Sequence, residues 1–227
     1  MSTPINTDTR RSSPSSQRNR EPIAQVLQTY LASNSRVLEI AAGTGEHAVY
    51  LSRLLAASDW WPSDINAEAI SSINAWREDA GTPAIHPAIV LDVSRPVEET
   101  VSALTQVGAS VLDAIVCINM IHISPWQATR GLMRTASAVL KENGLLYLYG
   151  PYKRDAQHTA HSNALFDADL QSRDPQWGVR DLNEVCELAA THDLRLLDVV
   201  AMPANNLSVI LQKQAAAVES SGSTVHD

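Results

Sequence analysis

Residues 36–48 read Arg36-Val37-Leu38-Glu39-Ile40-Ala41-Ala42-Gly43-Thr44-Gly45-Glu46-His47-Ala48. Val37-Leu38 with Ile40 and Ala41 forms a short apolar run, the pattern of a buried parallel strand, interrupted by one acid. Two glycines follow. From Ala48-Val49-Tyr50-Leu51 to Leu54-Leu55 an apolar face with a 3.6-residue period begins. A strand, a glycine turn and a helix in that order set a ligand against bare backbone N–H groups at a helix N-terminus. Glu39 is the odd residue, because a buried carboxylate without a partner is very costly. The cationic end of a ligand would supply that partner.

Working outward, the same alternation repeats. A helix to about residue 57 leads to Asp59-Trp60-Trp61-Pro62-Ser63-Asp64, a second strand ending at Asp64. A helix from Ala67 to Asp79 closes at Gly81 and Pro83, and Ile85 with 88–91 makes a third strand ending at Asp92. A helix over 97–107 precedes a fourth strand, Leu112 to Ile118, ending at Asn119. Ser124-Pro125 caps a helix running to about Leu140, Asn143-Gly144 is its C-terminal turn, and Leu145–Tyr149 is the fifth strand. A helix from Asp181 to Thr191 leads to two further runs, 194–201 and 207–211, joined by Pro203-Ala204-Asn205-Asn206 as a hairpin. This predicts an α/β fold: a Rossmann-like doubly wound sheet, mostly parallel with an antiparallel C-terminal strand pair, and helices on both faces.

Upstream, Pro22 to Leu31 carries helical spacing with proline in the first turn. Residues 1–17 and 214–227 are small and polar and are predicted to be disordered tails around one domain over 18–213. The 227 residues give room for one sizeable core. A formal net charge of −8 puts nucleic acid at a disadvantage as a bulk partner. Cys117 and Cys186 read as buried reduced thiols. No apolar run approaches the roughly 18 residues of a membrane span, and the expected setting is cytoplasmic without membrane contact.

Asp64, Asp92 and Asn119 end three successive strands, and in an open parallel sheet ligands sit outside the carboxyl ends of the strands. They converge with Gly43 and Gly45 on one crevice, where Asp64 is placed to accept from ribose hydroxyls and Asp92 from an adenine amino group. Gly43-x-Gly45-x-x-Ala48 with Asp64 also fits the NAD fingerprint by spacing. Glu39 beside a pyrophosphate would be repulsive, however, and Asp92 has no role in that fingerprint.

The order Glu39 to Gly45, Asp64, Asp92, Asn119 resembles the class I S-adenosylmethionine-dependent methyltransferases. More narrowly, Arg18-Asn19-Arg20-Glu21-Pro22-Ile23, Asn119-Met120-Ile121-His122-Ile123, Tyr149-Gly150-Pro151-Tyr152-Lys153 and Ser162-Asn163-Ala164-Leu165-Phe166-Asp167 are similar to the poorly characterised family that includes methyltransferase-like protein 26. The resemblance spans about residues 18–213 and implies S-adenosyl-L-methionine as cofactor. It assigns Glu39, Ala41, Gly43 and Gly45 to the methionine end, Asp64 with Ile65 to the ribose, Asp92 with Val93 to the adenine, and Asn119 to the flank of the methyl group. The superfamily usually has glycine at the position of Ala41, whose methyl group is tolerable on extended backbone.

A methyl transfer from this cofactor to a small-molecule acceptor is expected, a non-catalytic module binding the same cofactor being the other reading. His122, just outside the fourth strand, is the candidate general base. Its bland alternative is a histidine packed on the helix cap. Tyr152 and Lys153 follow the fifth strand toward the crevice, and Trp126 starts the helix beside His122. The polar segment 151–178 is expected to be a lid, with His161, Asn163, Trp177 and Arg180 lining the acceptor site. Arg20, with Arg18 and Asn19, is expected to fold over the cofactor. His158 and His161 with Asp155 or Asp167 lack a third firm ligand, so no metal is expected.

Overall fold

Successive side chains of β1 (Arg36–Ile40) leave the sheet on opposite faces, Val37 into one core and Leu38 and Ile40 into the other. Both faces must therefore be covered. The computed structural model, which describes residues 9–215, shows how. Along the chain run α1 (Pro14–Tyr30), β1, α2 (Glu46–Leu54), β2 (Asp59–Asp64), α3 (Ala67–Ala80), β3 (Ile89–Val90), α4 (Val97–Gln106), β4 (Leu112–Ile118), α5 (Trp126–Val139) and β5 (Leu140–Pro151). There follow β6 (Lys153–Arg154), β7 (Gln157–His158), α6 (His161–Arg173), α7 (Leu182–Ala190), β8 (Leu194–Met202) and β9 (Asn206–Lys213).

The main sheet has the order β3-β2-β1-β4-β5-β9-β8, with β9 antiparallel to both neighbours. Strand order reverses between β1 and β4, and a doubly wound sheet opens its ligand crevice at that reversal. One core gathers α1 and α2 on Trp60, Ala114, Val116 and Tyr147, while the other gathers α4, α5 and α7 on Ile115, Cys117, Leu146 and Leu148. Each such large buried side chain contributes roughly 1.5–3 kcal/mol relative to exposure. Trp60 and Trp61 belong to these cores.

The structure corrects the sequence reading in three places. Helix α1 starts at Pro14, not Pro22, with Ser13 as its N-cap, and the disordered tail expected over residues 1–17 does not extend across 9–17. Pro22 sits inside the helix and cannot donate to the carbonyl of Arg18. Small polar residues hid this first turn, because it is held by partners far along the chain: Ser13 N–H donates to Glu46 Oε2 (2.6 Å), and Arg11 N–H donates to Ser72 Oγ (2.8 Å). Residues 1–8 and 216–227, where the rest of the tail expectations fall, lie outside the described residues.

Ser124 is not a cap. Its hydroxyl donates back to Met120 O (2.7 Å), and Pro125 holds the N-cap position of α5. Asn143-Gly144 is not the C-terminal turn of α5, because β5 already begins at Leu140. Pairing jumps from Leu112↔Leu140 to Ala114↔Leu145, so the Asn-Gly pair lies in a bulge inside the strand.

Candidate functional site

Parallel pairing brings the strand ends into line. Glu39 pairs with Pro62 on β2 and with Val116 on β4, and Asp64 pairs with Val90 on β3. Continuing each register by a few residues puts Ala41–Gly43, Asp64, Asp92 and Asn119 along the carboxyl edge of four adjacent strands, astride the reversal. The loop here is built from left-handed backbone: φ is +56° at Ala41, +59° at Gly43 and +90° at Gly45, and Asn119 across the crevice has +63°. Ala41 is thus not extended, as its methyl group was expected to require, and a non-glycine residue in this region stores roughly 1–2 kcal/mol of strain. A Cβ at Gly43 would meet nothing within 4 Å, whereas one at Gly45 would come within 2.8 Å of the backbone of Ile73. The first glycine leaves open space over the loop and the second lets α3 approach.

The acids at the ends of β2 and β3 are already oriented, Asp64 buried and Asp92 half-buried. Asp64 accepts from Gly43 N–H (3.0 Å) through one oxygen and from Asn66 N–H (2.9 Å) through the other, tying the loop to the end of β2. Asp92 accepts from the backbone and hydroxyl of Ser94 (2.9 and 2.6 Å) through a single oxygen. Ile65 stands between these strand ends with 68% of its surface exposed, while Val93 is buried. Glu39 is different. It is buried, its Oε2 accepts from Trp60 Nε1–H (2.8 Å), and no cation pairs with it among the described residues. Burial pushes its carboxyl group up to about 8.

Helix α3 and the amino-terminal segment clamp this loop. Ser72 Oγ donates to Thr44 O (2.7 Å), Gln17 Nε2 donates to Glu46 Oε1 (3.3 Å), and Asn19 Oδ1 meets His47 Nε2 (2.9 Å). Burial holds the His47 imidazole down at about 4. Arg20 does not reach over the loop: its guanidinium lies 4.7 Å from the ring centre of Tyr50, in a groove with Val49, Arg53 and Trp76.

Beyond Asn119 opens a cleft of about 690 Å³ between α1, the end of β5, α6 and the β8–β9 turn. Arg18, Asn119, Tyr149, Asn163, Phe166 and Arg173 are among its lining residues, with Asn205 and Asn206 at the turn. Of the residues expected to line the acceptor site, Asn163 lines this cleft; its amide donates to Thr159 Oγ1 (3.1 Å) and to Asn205 O (3.0 Å). Tyr149, Phe166 and Arg173 were not singled out from the sequence, although the first two lie in quoted motifs, and Arg18, expected with Asn19 and Arg20 to fold over the cofactor, lines this cleft. Nothing in their local spacing brings them together.

The other expected residues are elsewhere. His122 is fully buried, its Nδ1 accepts from Arg180 N–H (3.2 Å), and its Nε2 has no partner and abuts Gly150. Burial, helped by the Arg180 guanidinium, pushes the ring down to about 3. With Nδ1 accepting, the single proton of the neutral ring sits on Nε2, so this nitrogen is a donor and not a base. Tyr152 packs edge-on to that ring at 4.9 Å, is fully buried with no partner for its hydroxyl, and belongs to the core.

Trp126 packs on the same core beneath Arg180, whose guanidinium lies 5.5 Å from its ring centre. Arg180 also donates to the carbonyls of Ile121 (2.9 Å) and Ser124 (2.7 Å). Lys153, Trp177 and Arg180 line a separate depression of about 330 Å³ with Asp181 and Glu184, and His161 is exposed. Asp167, named above with the histidines, is buried; it pairs with Lys153 (2.8 Å) and His158 (3.2 Å) and accepts from Val179 N–H (2.7 Å). Cys117 and Cys186 are free thiols, the first buried and the second half-buried, and burial pushes Cys117 up to about 12.

The fold is that of the Rossmann-like class I methyltransferases. An O-methyltransferase family protein from Burkholderia thailandensis superposes with a TM-score of 0.72 at 11% identity over 88% of this chain. Mitomycin 7-O-methyltransferase MmcR gives 0.69 at 12% over 87%, and the YcgJ protein from Bacillus subtilis gives 0.64 at 14% over 88%. This chain spans 56% and 54% of the first two proteins and the full length of the third. At these identities the likeness is one of fold. No helix among the described residues is long and apolar enough to cross a membrane. The family model described as protein of unknown function (DUF938) matches residues 10–213, and the chain belongs to that family.

Proposed function

We propose that this protein is an S-adenosyl-L-methionine-dependent methyltransferase with a small-molecule acceptor. The observation that carries the reading is the alignment of Glu39, the Ala41–Gly45 loop, Asp64, Asp92 and Asn119 along one sheet edge. The residues fit the cofactor. Open space over Gly43 leaves room for it, and Asp64 and Asp92 keep acceptor capacity after their backbone bonds. Glu39 is a buried acid still without a cation among the described residues. A cationic ligand end would favour ionisation of that acid, whereas the pyrophosphate of a dinucleotide would oppose it and leave the buried group without a partner. The resemblance to the family of methyltransferase-like protein 26 points the same way.

When bound, the cofactor supplies a sulfonium methyl group open to in-line displacement. The protein's own contribution is placement. Asp64 and Asp92 fix the adenosyl end, Glu39 draws in the cationic end, and Asn119, shared by crevice and cleft, stands where the two ligands meet. His122 offers no base, because it keeps its proton on Nε2 throughout the neutral range. The rate is therefore expected to show no inflection from this ring between about pH 5 and 8. Incubation with methyl-labelled cofactor and fractionated small-molecule extract tests the proposal. A labelled small product supports it. Cofactor binding with no product from any fraction would instead leave a non-catalytic binding module.

A further inference from the structure

The cleft has a charge opposite to that of the chain. Acids outnumber bases 25 to 17 overall, yet the described residues lining the cleft include Arg18 and Arg173 and no aspartate or glutamate. The amides around them are largely spent on each other. The Tyr149 phenol, its pKa raised by burial, hydrogen-bonds with the side chains of Asn19 and Asn206. Asn163 donates to Thr159 and Asn205, Asn205 donates to Ser162 Oγ (3.2 Å), and Asn206 donates to Pro203 O (3.1 Å). These bonds make a rigid amide frame.

The arginines are not consumed in this way. Arg18 forms no ion pair among the described residues. Arg173 reaches Asp169 only at 4.0 Å, with both side chains more than half exposed, a pair that water screens to little value. Its guanidinium is steadied over Trp177, 5.1 Å from the ring centre. Two arginines thus line one cavity whose lining also includes the apolar Ile123, Phe166 and Leu170. The volume suits a small molecule.

We infer that the methyl acceptor is a small organic anion, a carboxylate or phosphate on an apolar body, whose charge is held by Arg18 and Arg173. The guanidinium fork matches either group with two parallel N–H···O bonds. The inference rests on the methyltransferase reading only in calling this ligand the acceptor.

The test pairs p-hydroxybenzoate, phenylacetate and phenyl phosphate with neutral p-hydroxybenzamide, phenylacetamide and phenol. Ligand-observed NMR follows their binding to the full chain with and without S-adenosylhomocysteine. The anions are expected to bind about tenfold or more tightly than their neutral partners, the difference made by one charge-assisted hydrogen bond. Arg18→Gln and Arg173→Gln should each erase most of that preference without altering the neutral compounds, and added salt should weaken it. Equal binding of neutral and anionic partners, insensitivity to both substitutions, or no binding by any of the three anions would overturn the inference. A calorimetric titration of S-adenosylhomocysteine on the same samples judges the cofactor reading separately, so the two fail independently.

Discussion

The two halves of the crevice are made differently. On the β1–β2–β3 side the ligand-facing surface is backbone and short acids, set by strand register and already engaged through Gly43, Asn66 and Ser94. On the β5 side it is long side chains from α1, α6 and the β8–β9 turn, joined through amides and leaving two guanidinium groups uncommitted. The first surface is preorganised for the proposed cofactor. The second takes its identity from residues far apart in sequence, which is how a shared fold accepts different substrates.

The sharpest way to break this comparison is Asp64→Ala. It removes both the proposed ribose acceptor and the tie to Gly43, and it is expected to weaken cofactor binding about 100-fold at roughly 1.5–3 kcal/mol for each lost bond to the charged acceptor. Calorimetry should show this, while the anion preference of the cleft measured by NMR stays unchanged. Equal damage to both would merge the two halves into one unit.

Asp167→Asn probes the support of the acceptor side. Burial works to raise the Asp167 pKa, but the Lys153 hydrogen bond, the Val179 N–H and the nearby charges hold it below the usual carboxylate range. A pKa lowered by folding adds stability above the unfolded value of 3.8, and that stability disappears as pH falls through the lower folded value. The variant is expected to lose about 3 kcal/mol at neutral pH, with the gap to wild type closing in acid, as read by denaturant titration.

Glu39→Gln sharpens the cofactor side with the opposite sign. Because folding raises this group from 4.5 to about 8, wild-type stability falls as pH climbs between those values. The glutamine variant should therefore gain on wild type across that window and bind the cofactor about tenfold more weakly. Wild-type binding near pH 7 should also release a proton, seen as a dependence of calorimetric heat on buffer ionisation enthalpy. The smallest effect expected is that of Ala41→Gly. Relief of left-handed strain and the added freedom of the unfolded chain offset each other, leaving a gain of about 1 kcal/mol or less in thermal unfolding.

The same division decides how much could be read before the structure. β1, β2 and β4, the glycine loop and the carboxylates at the strand ends follow from local patterns: apolar runs, glycines and the residue that ends each run. The first turn of α1 hid because Arg11–Gln17 owe their order to Glu46 and Ser72. His122 and Tyr152 were misplaced because position after a strand says where a backbone emerges, not whether its side chain turns inward onto Gly150 and the core. Arg18 and Arg173 share a cleft across 155 residues, a distance no spacing rule spans.

The most direct measurement is a calorimetric competition at the sheet edge. S-adenosyl-L-methionine and NAD are each titrated into the full chain and into Asp64→Ala. Saturable binding of the sulfonium compound to the wild type, loss in the variant, and no displacement by NAD is the expected result. NAD binding that excludes S-adenosyl-L-methionine, or sulfonium binding indifferent to Asp64, would contradict the assignment.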